Sequence, residues 1–297
     1  MKEIVIISGK GGTGKTSFAA AFARLAGKNA VVADCDVDAA NLHLLLDPHV
    51  HEVTPFFSTE LPQIDSLRCT DCGLCTDICR FDALPIVEGH VTLDPWNCEG
   101  CGYCARICPE NAITMVPEQT GEWYLSNTRF GSSMVHANLK VGAENSGKLV
   151  STVRARAKKL AQSENREVLL VDGAPGVGCP VISSITGADY VVLVTEPTLS
   201  GLHDLKRVYE LVTQFNLPAG CIINKADINP EVTAAIRDYL VLKGIDLLAE
   251  IPYAEAFTRA MVNGVTILEI GQAGLEQQII DGWKGITQKI YSEGVGV

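Results

Sequence analysis

Eight cysteines stand between Cys69 and Cys108, in two copies of one spacing, Cys-x-x-Cys-x-x-Cys-x-x-x-Cys. The first copy is Cys69, Cys72, Cys75 and Cys79. The second is Cys98, Cys101, Cys104 and Cys108, with Pro109 following. Thiolates are soft ligands, and gaps of two residues let three of them grip one iron–sulfur cube from a single loop, while the longer gap carries the fourth away. Cys-x-x-Cys is also a zinc spacing. A tetrahedral zinc site asks for two well-separated pairs, not four thiols within eleven positions. Iron–sulfur chemistry is therefore predicted, and disulfides are disfavoured in a chain of cytoplasmic character. Cys35 and Cys221 lie in apolar strand contexts and read as buried small hydrophobes. Cys179 reads as a small packed residue.

A second chemistry sits at the start of the chain. Met1 to Ser8 is a short apolar run suited to a buried parallel strand, and the Ala-rich stretch from Ser17 to Gly27 has the look of a helix. Between them lies Gly9-Lys10-Gly11-Gly12-Thr13-Gly14-Lys15-Thr16. Strand, glycine loop and helix together form the context of a phosphate loop. Glycines let the backbone amides converge on phosphates, and the helix N-terminus adds a favourable dipole. Lys15 is placed to reach the β- and γ-phosphates, and the Thr16 hydroxyl to ligate Mg²⁺, with Ser17 next to it in the cofactor-binding set.

Further strand ends carry polar residues suited to the same site. Ala30–Ala33 reads as a buried strand running into Asp34, Asp36 and Asp38. Glu167–Val171 ends in Asp172, a Walker B candidate, followed by the glycine-rich turn that contains Gly176. Gly220–Ile223 leads into Asn224-Lys225-Ala226-Asp227, and a last strand into Ile251-Pro252-Tyr253. Asn-Lys-x-Asp is the guanine-reading motif of GTPases, where the carboxylate accepts from guanine N–H groups, so GTP stands beside ATP as a candidate nucleotide.

Two resemblances organise these residues. Over roughly residues 61–118 the cysteine block resembles a two-cluster bacterial ferredoxin, in which the fourth cysteine of each run ligates the other cluster. That resemblance implies two [4Fe-4S] clusters, one on Cys69, Cys72, Cys75 and Cys108, the other on Cys98, Cys101, Cys104 and Cys79. Arg80 stands where the first copy would usually carry proline. The phosphate loop, with its extra Lys10, resembles the deviant Walker A loop of the MinD/ParA/Mrp family of P-loop ATPases. The resemblance implies Mg-ATP, with Lys10 crossing to the partner's nucleotide in an ATP-bound dimer, formed with an identical chain or a paralogue. It makes Asp36 the residue that positions the attacking water, gives Asp34 to the magnesium shell, lets Gly176 sense the γ-phosphate, and brings Asn224 and Pro252 against adenine.

These parts imply an α/β fold, a doubly wound and mostly parallel P-loop NTPase sheet (residues 1–60 and 119–297) interrupted by a small α+β ferredoxin-like insertion (61–118). Gly121–Leu139 alternates as one paired or edge strand would, and Ser146 opens a helix. Insertion after the Asp34–Asp38 segment is expected to bring the clusters near the element that moves with nucleotide state.

Composition bounds the partners. An apolar share of 47% supports a substantial core, and a net charge of −11 opposes nonspecific nucleic-acid binding. The basic run Arg154, Arg156, Lys158 and Lys159 reads as a solvated helix face, and the histidines, among them His43, His49 and His51, as surface or packing residues. No stretch is long and apolar enough to span a membrane, and the ending Tyr291–Val297 has no counterpart of the basic amphipathic helix that ends MinD. A cytoplasmic chain without a membrane anchor, working with an unidentified redox partner protein, is expected. Three functions follow: a nucleotide-switched electron-transfer protein, a MinD-like recruiting ATPase with structural or sensing clusters, or an Mrp-like deliverer of clusters.

Overall fold

The computed structural model describes residues 1–143 and 146–292; residues 293–297, the end of the segment compared above with a membrane helix, lie outside the described residues. By internal packing the chain divides into two units, one of Met1–Thr54, Trp123–Asn138 and Ser146–Val297, the other of Pro55–Glu122 and Leu139–Asn145.

In the first unit the apolar run after Met1 forms β1 (Lys2–Ser8), the glycine loop follows, and α1 (Lys15–Ala26) leaves it. Next come β2 (Ala30–Asp34) and α2 (Leu42–Leu46), and then β3 (His49–Ile64), a long strand that carries the chain into the second unit. That unit holds α3 (Leu74–Ile78), the two-residue strands β4 (Ile86–Val87) and β5 (His90–Val91), and α4 (Tyr103–Ile107). The long strand β6 (Ile113–Asn127) returns to the first unit, followed by β7 (Ser133–Leu139) and α5 (Ser146–Ser163). Strand–helix alternation then resumes through β8 (Val168–Pro175), α6 (Cys179–Ile185), β9 (Tyr190–Thr195), α7 (Leu199–Gln214), β10 (Ala219–Asn224), α8 (Pro230–Lys243), β11 (Asp246–Ile251), α9 (Glu255–Val262) and α10 (Ala273–Ser292).

Among the described residues one nine-stranded sheet runs β11-β10-β9-β1-β8-β2-β7-β6-β3. Its pairs from β11 through to β7 are parallel, with β1 flanked by β8 and β9. Strands covered on both faces need apolar residues at every position, and Ile4, Val5, Ile6 and Ile7 of β1 are all fully buried. One face packs on α1 through Phe18 and Phe22, the latter ring stacked on Trp283 of α10 at 5.2 Å.

Three sequence expectations are corrected here. The 121–139 stretch is not one strand: β6 and β7 are separated by a turn in which Thr128 and Ser132 bond through both backbone and hydroxyls, with Gly131 at φ 80°. Alternation continues on both sides of a tight turn, so the period alone did not reveal it. The basic run of α5 is only partly solvated. Arg154 pairs with Glu3, which is 1% exposed, and Lys158 reaches the same carboxylate at 3.5 Å. Arg156 lies over the Trp123 ring at 5.0 Å. Cys179 is exposed at the start of α6, not packed.

His136 on β7 is a packing residue with a pH consequence. Its ring bonds Ser126 Oγ at 2.9 Å and stacks against Tyr124 and His43. Burial first, and His43 second, lower its pKa from the ordinary value to about 4. The folded chain thus holds the ring neutral, while the unfolded chain takes up a proton as pH falls below about 6.5. Its stabilising contribution is complete above that value and lost progressively down to the folded pKa. Between about pH 6.5 and 5 the wild-type chain is expected to lose about 2 kcal/mol more stability than a His136→Gln chain, read from urea midpoints. Parallel slopes for the two chains would remove His136 from the acid response.

Candidate functional site

The phosphate loop bridges β1 and α1 at the C-terminal edge of the parallel strands, the edge where open α/β sheets bind ligands. Gly12 and Gly14 have φ of 79° and 97°, values that let the loop curl so that its amides face inward. A Cβ at Gly14 would also come within 2.5 Å of Asn224 Nδ2, so the position admits glycine on two counts.

Lys15 is almost wholly buried and donates to Asp172 Oδ1 at 2.6 Å, with Asp36 Oδ2 at 3.5 Å. Burial alone lowers an ammonium's pKa; here Asp172 and Asp36 outweigh it, and Lys15 is held charged. Asp34 is fully buried, and burial followed by the Asp172 charge pushes its carboxyl upward. Both Asp34 oxygens accept backbone amides, from Asp36 at 3.1 Å and Leu42 at 3.3 Å. It therefore ties down the 35–41 loop. Asp36 faces Lys15, whereas Asp38 is exposed. The Gly176 amide donates to Ser8 O at 2.8 Å and must leave that bond before it can meet a phosphate.

Two atoms at this site are buried with no hydrogen-bond partner among the described residues: Asp172 Oδ2 and Thr13 Oγ1. Orphaned buried acceptors and hydroxyls are costly and mark places where a ligand or ion completes the bonding. A phosphate on the loop amides with a divalent cation beside Thr16 and Asp172 fits this donor set, since it offers Lys15 an anion and Asp172 a cation.

Lys10 does not point away from its own chain. Its ammonium contacts Glu196 at 2.7 Å and the hydroxyls of Thr198 and Ser200 at 3.0 Å each. Glu196 also takes Lys225 at 2.7 Å, and Lys225 reaches Gly12 O. Both lysines, with their hydrogen bonds, draw the Glu196 carboxyl below its usual range against the opposing effect of burial. Asn224 donates to Thr13 O at 2.8 Å and accepts from the Lys225 amide, bracing the phosphate loop from β10. Pro252 is exposed just beyond β11. The Glu196 bridge was not found from sequence; an acidic residue at the end of β9 was its only signal.

In the second unit the two cysteine runs repeat in backbone as well as in spacing. Gly73 and Gly102, both left-handed, open α3 and α4. Asp82 and Asn111 share φ near 50°, at 53° and 48°. The Ala83 amide points at Cys79 Sγ at 3.4 Å, and the Ala112 amide at Cys108 Sγ at 3.3 Å. Cys75, Cys79, Cys98, Cys101 and Cys104 line a cavity of about 380 Å³. Cys69, Cys72, Cys75 and Cys108 line a smaller one. Burial raises the thiol pKa values of Cys75, Cys98 and Cys104, so bare thiolates are disfavoured there without a cation. Among the described residues no three His, Cys, Asp or Glu side chains converge closely enough to hold a single metal ion. The thiols ring cavities instead.

The CobQ/CobB/MinD/ParA nucleotide binding domain matches residues 4–267. The chain belongs to that family. Family membership accounts for the parallel sheet and for the loop between β1 and α1. The uncharacterized protein MJ0578 of Methanocaldococcus jannaschii is 37% identical over 229 residues, 76% of this chain and 79% of that protein. Among solved structures, the cell division ATPase MinD of Pyrococcus furiosus superposes with a TM-score of 0.57 at 18% identity, covering 97% of this chain and 98% of that one. MinD of Pyrococcus horikoshii, solved with Mg-ADP, gives 0.56 at 20% identity, covering 96% and 95%. At these identities the likeness is one of fold.

Proposed function

We propose that this CobQ/CobB/MinD/ParA-family chain is a nucleotide-switched iron–sulfur protein. Mg-ATP binds at the phosphate loop, hydrolysis takes place at a dimer interface, and turnover is coupled to electron transfer or to redox-dependent docking of a partner protein. The observation that carries the reading is the pair of thiol-lined cavities in a chain whose other unit carries an orphaned Asp172 oxygen beside a buried, charged Lys15.

On this reading the residues divide the work as follows. The loop amides and Lys15 hold the β- and γ-phosphates, and Lys15 leaves Asp172 as it does so. Thr16 and Asp172 face the Mg²⁺ side. Asp36 orients water, and Asp34 keeps the loop that carries Asp36 in register through its two amide bonds. The [4Fe-4S] clusters, when bound, supply one-electron redox chemistry. The cysteines would hold them through the crossed sets, and the Ala83 and Ala112 amides, which donate to Cys79 and Cys108 sulfur, would raise a bound cluster's potential. Five thiols around one cavity and four around the other, with Cys75 on both, suit polynuclear groups better than lone zinc ions.

The likeness of fold to MinD favours a second reading, a partner-recruiting ATPase whose clusters are structural or sense redox state. Anaerobic ATP hydrolysis with the clusters oxidised and then reduced separates the two. A rate that changes with redox state supports coupled function; an indifferent rate supports the recruiting switch. Protein that retains no iron after anaerobic purification would sink both forms of the iron–sulfur proposal. Rapid stripping by a chelator would point to cluster delivery.

A further inference from the structure

Asp227 is an exposed carboxylate at the end of the 224–227 turn, beside the phosphate loop. Asn224 uses its donor on Thr13 O and its acceptor on the Lys225 amide, and Lys225 is taken by Glu196 and Gly12 O. These bonds place the 224–227 turn beside the phosphate loop, within reach of a base whose phosphates sit on that loop. Lys225 has φ 55°, and Ala226 donates to Ile251 O at 2.9 Å, which joins the turn to the end of β11. Asp227 itself is exposed and has no cation within ion-pair distance among the described residues. Its Oδ1 accepts the Tyr253 amide at 2.6 Å.

We infer that Asp227 selects the base, with Oδ2 accepting from the exocyclic amine of adenine while Tyr253 fixes Oδ1. The inference rests on the nucleotide reading above. A carboxylate accepts and never donates, so it favours a base edge that presents N–H and repels one that presents a carbonyl. Adenine presents one exocyclic donor beside a ring acceptor and needs a single oxygen. Guanine presents two adjacent donors and matches a carboxylate with both oxygens free. Oδ1 already accepts the Tyr253 amide and keeps one lone pair, whereas both lone pairs of Oδ2 are open, which favours a single donor placed at Oδ2. Asn-Lys-x-Asp in this chain therefore serves adenine, its first two residues bracing the phosphate loop.

The test is equilibrium binding of ADP, IDP, GDP and XDP to the whole chain, wild type and Asp227→Asn. In the asparagine chain the amide oxygen can still accept from Tyr253, and the NH₂ group then faces the base. The wild type is expected to bind ADP about tenfold more tightly than IDP, whose 6-oxo group opposes the carboxylate. Asp227→Asn is expected to weaken ADP by about tenfold and to strengthen IDP, reversing the preference. A gain for IDP also shows that the variant is folded. Purine riboside diphosphate, which lacks the 6-amino group, gives the same reading without any substitution, and is expected to bind the wild type about tenfold more weakly than ADP. An ADP-to-IDP ratio unchanged by Asp227→Asn overturns the inference and leaves Asp227 as a clamp for Tyr253. GDP preferred by the wild type, with XDP preferred by the variant, overturns it in favour of two-oxygen guanine reading. Failure of the wild type to bind any of the four defeats the nucleotide reading itself, which is a separate result.

Discussion

Lys10→Ala is expected to bind Mg-ATP and to hydrolyse it roughly 10³-fold more slowly or worse, the loss typical when a trans-acting cation is removed from phosphoryl transfer. Iron content should be unchanged. The free chain makes the expectation sharper, because Lys10 rests on Glu196, Thr198 and Ser200 of its own chain and must leave them to reach a partner's nucleotide. A rival account keeps Lys10 at home, where its loss would merely unsettle the Glu196–Lys225 bridge to Gly12. Mixing decides between them. A Lys10→Ala chain keeps the rest of its site and has no lysine to give; an Asp36→Ala chain has a lysine to give and lacks the carboxylate proposed above to orient water. If Lys10 acts across a two-fold interface, an equal mixture regains roughly a quarter of the wild-type rate, from the one competent site in each mixed pair. If Lys10 acts within its own chain, the mixture stays as inactive as its components.

The sequence made the framework readable where the signal was local. Continuous apolar runs marked β1, β2 and β8 because strands buried on both faces tolerate no alternation, and the loop between β1 and α1 declared itself through glycine spacing. The cysteine runs stood out for the same reason, since spacing is a short-range property, and the backbone repeats along with it at Gly73 and Gly102. What sequence did not reveal depends on residues far apart in the chain. Glu3 sits unremarked within the apolar run of β1, and only the fold brings Arg154 and Lys158 to it. Gly176 was expected to offer its amide to phosphate, and the fold turns that amide onto Ser8 O. Asn224 was expected on adenine, and its donor meets Thr13 O, 211 positions away. In each case the residue type was right for polar work, and the partner was set by which strand ends the parallel sheet lays side by side.

The crossed assignment of the cysteines makes the second large prediction, and it turns on pairs of substitutions. Singly, Cys72→Ser, Cys79→Ser and Cys108→Ser should each cost one cluster, lowering iron from about eight to about four atoms per chain. Single losses say nothing about which cysteines share a cluster. Doubles do. Cys72 and Cys108 line the smaller cavity together, whereas Cys79 lines the larger one with Cys98, Cys101 and Cys104. Cys72→Ser with Cys108→Ser should therefore lose no more than either alone and keep about four irons, because both act on one cluster. Cys72→Ser with Cys79→Ser, two residues of the same run, should remove both clusters and leave the chain close to iron-free. If each run served its own cluster, the two doubles would exchange their iron contents. Nucleotide binding should survive in all five variants, since every residue of the phosphate site lies in the other unit. A double that lost ADP binding together with its iron would show instead that the clusters are needed to keep that unit folded. Iron and sulfide analysis paired with ADP titration on the same samples therefore reads ligand assignment and independence of the two units in one experiment.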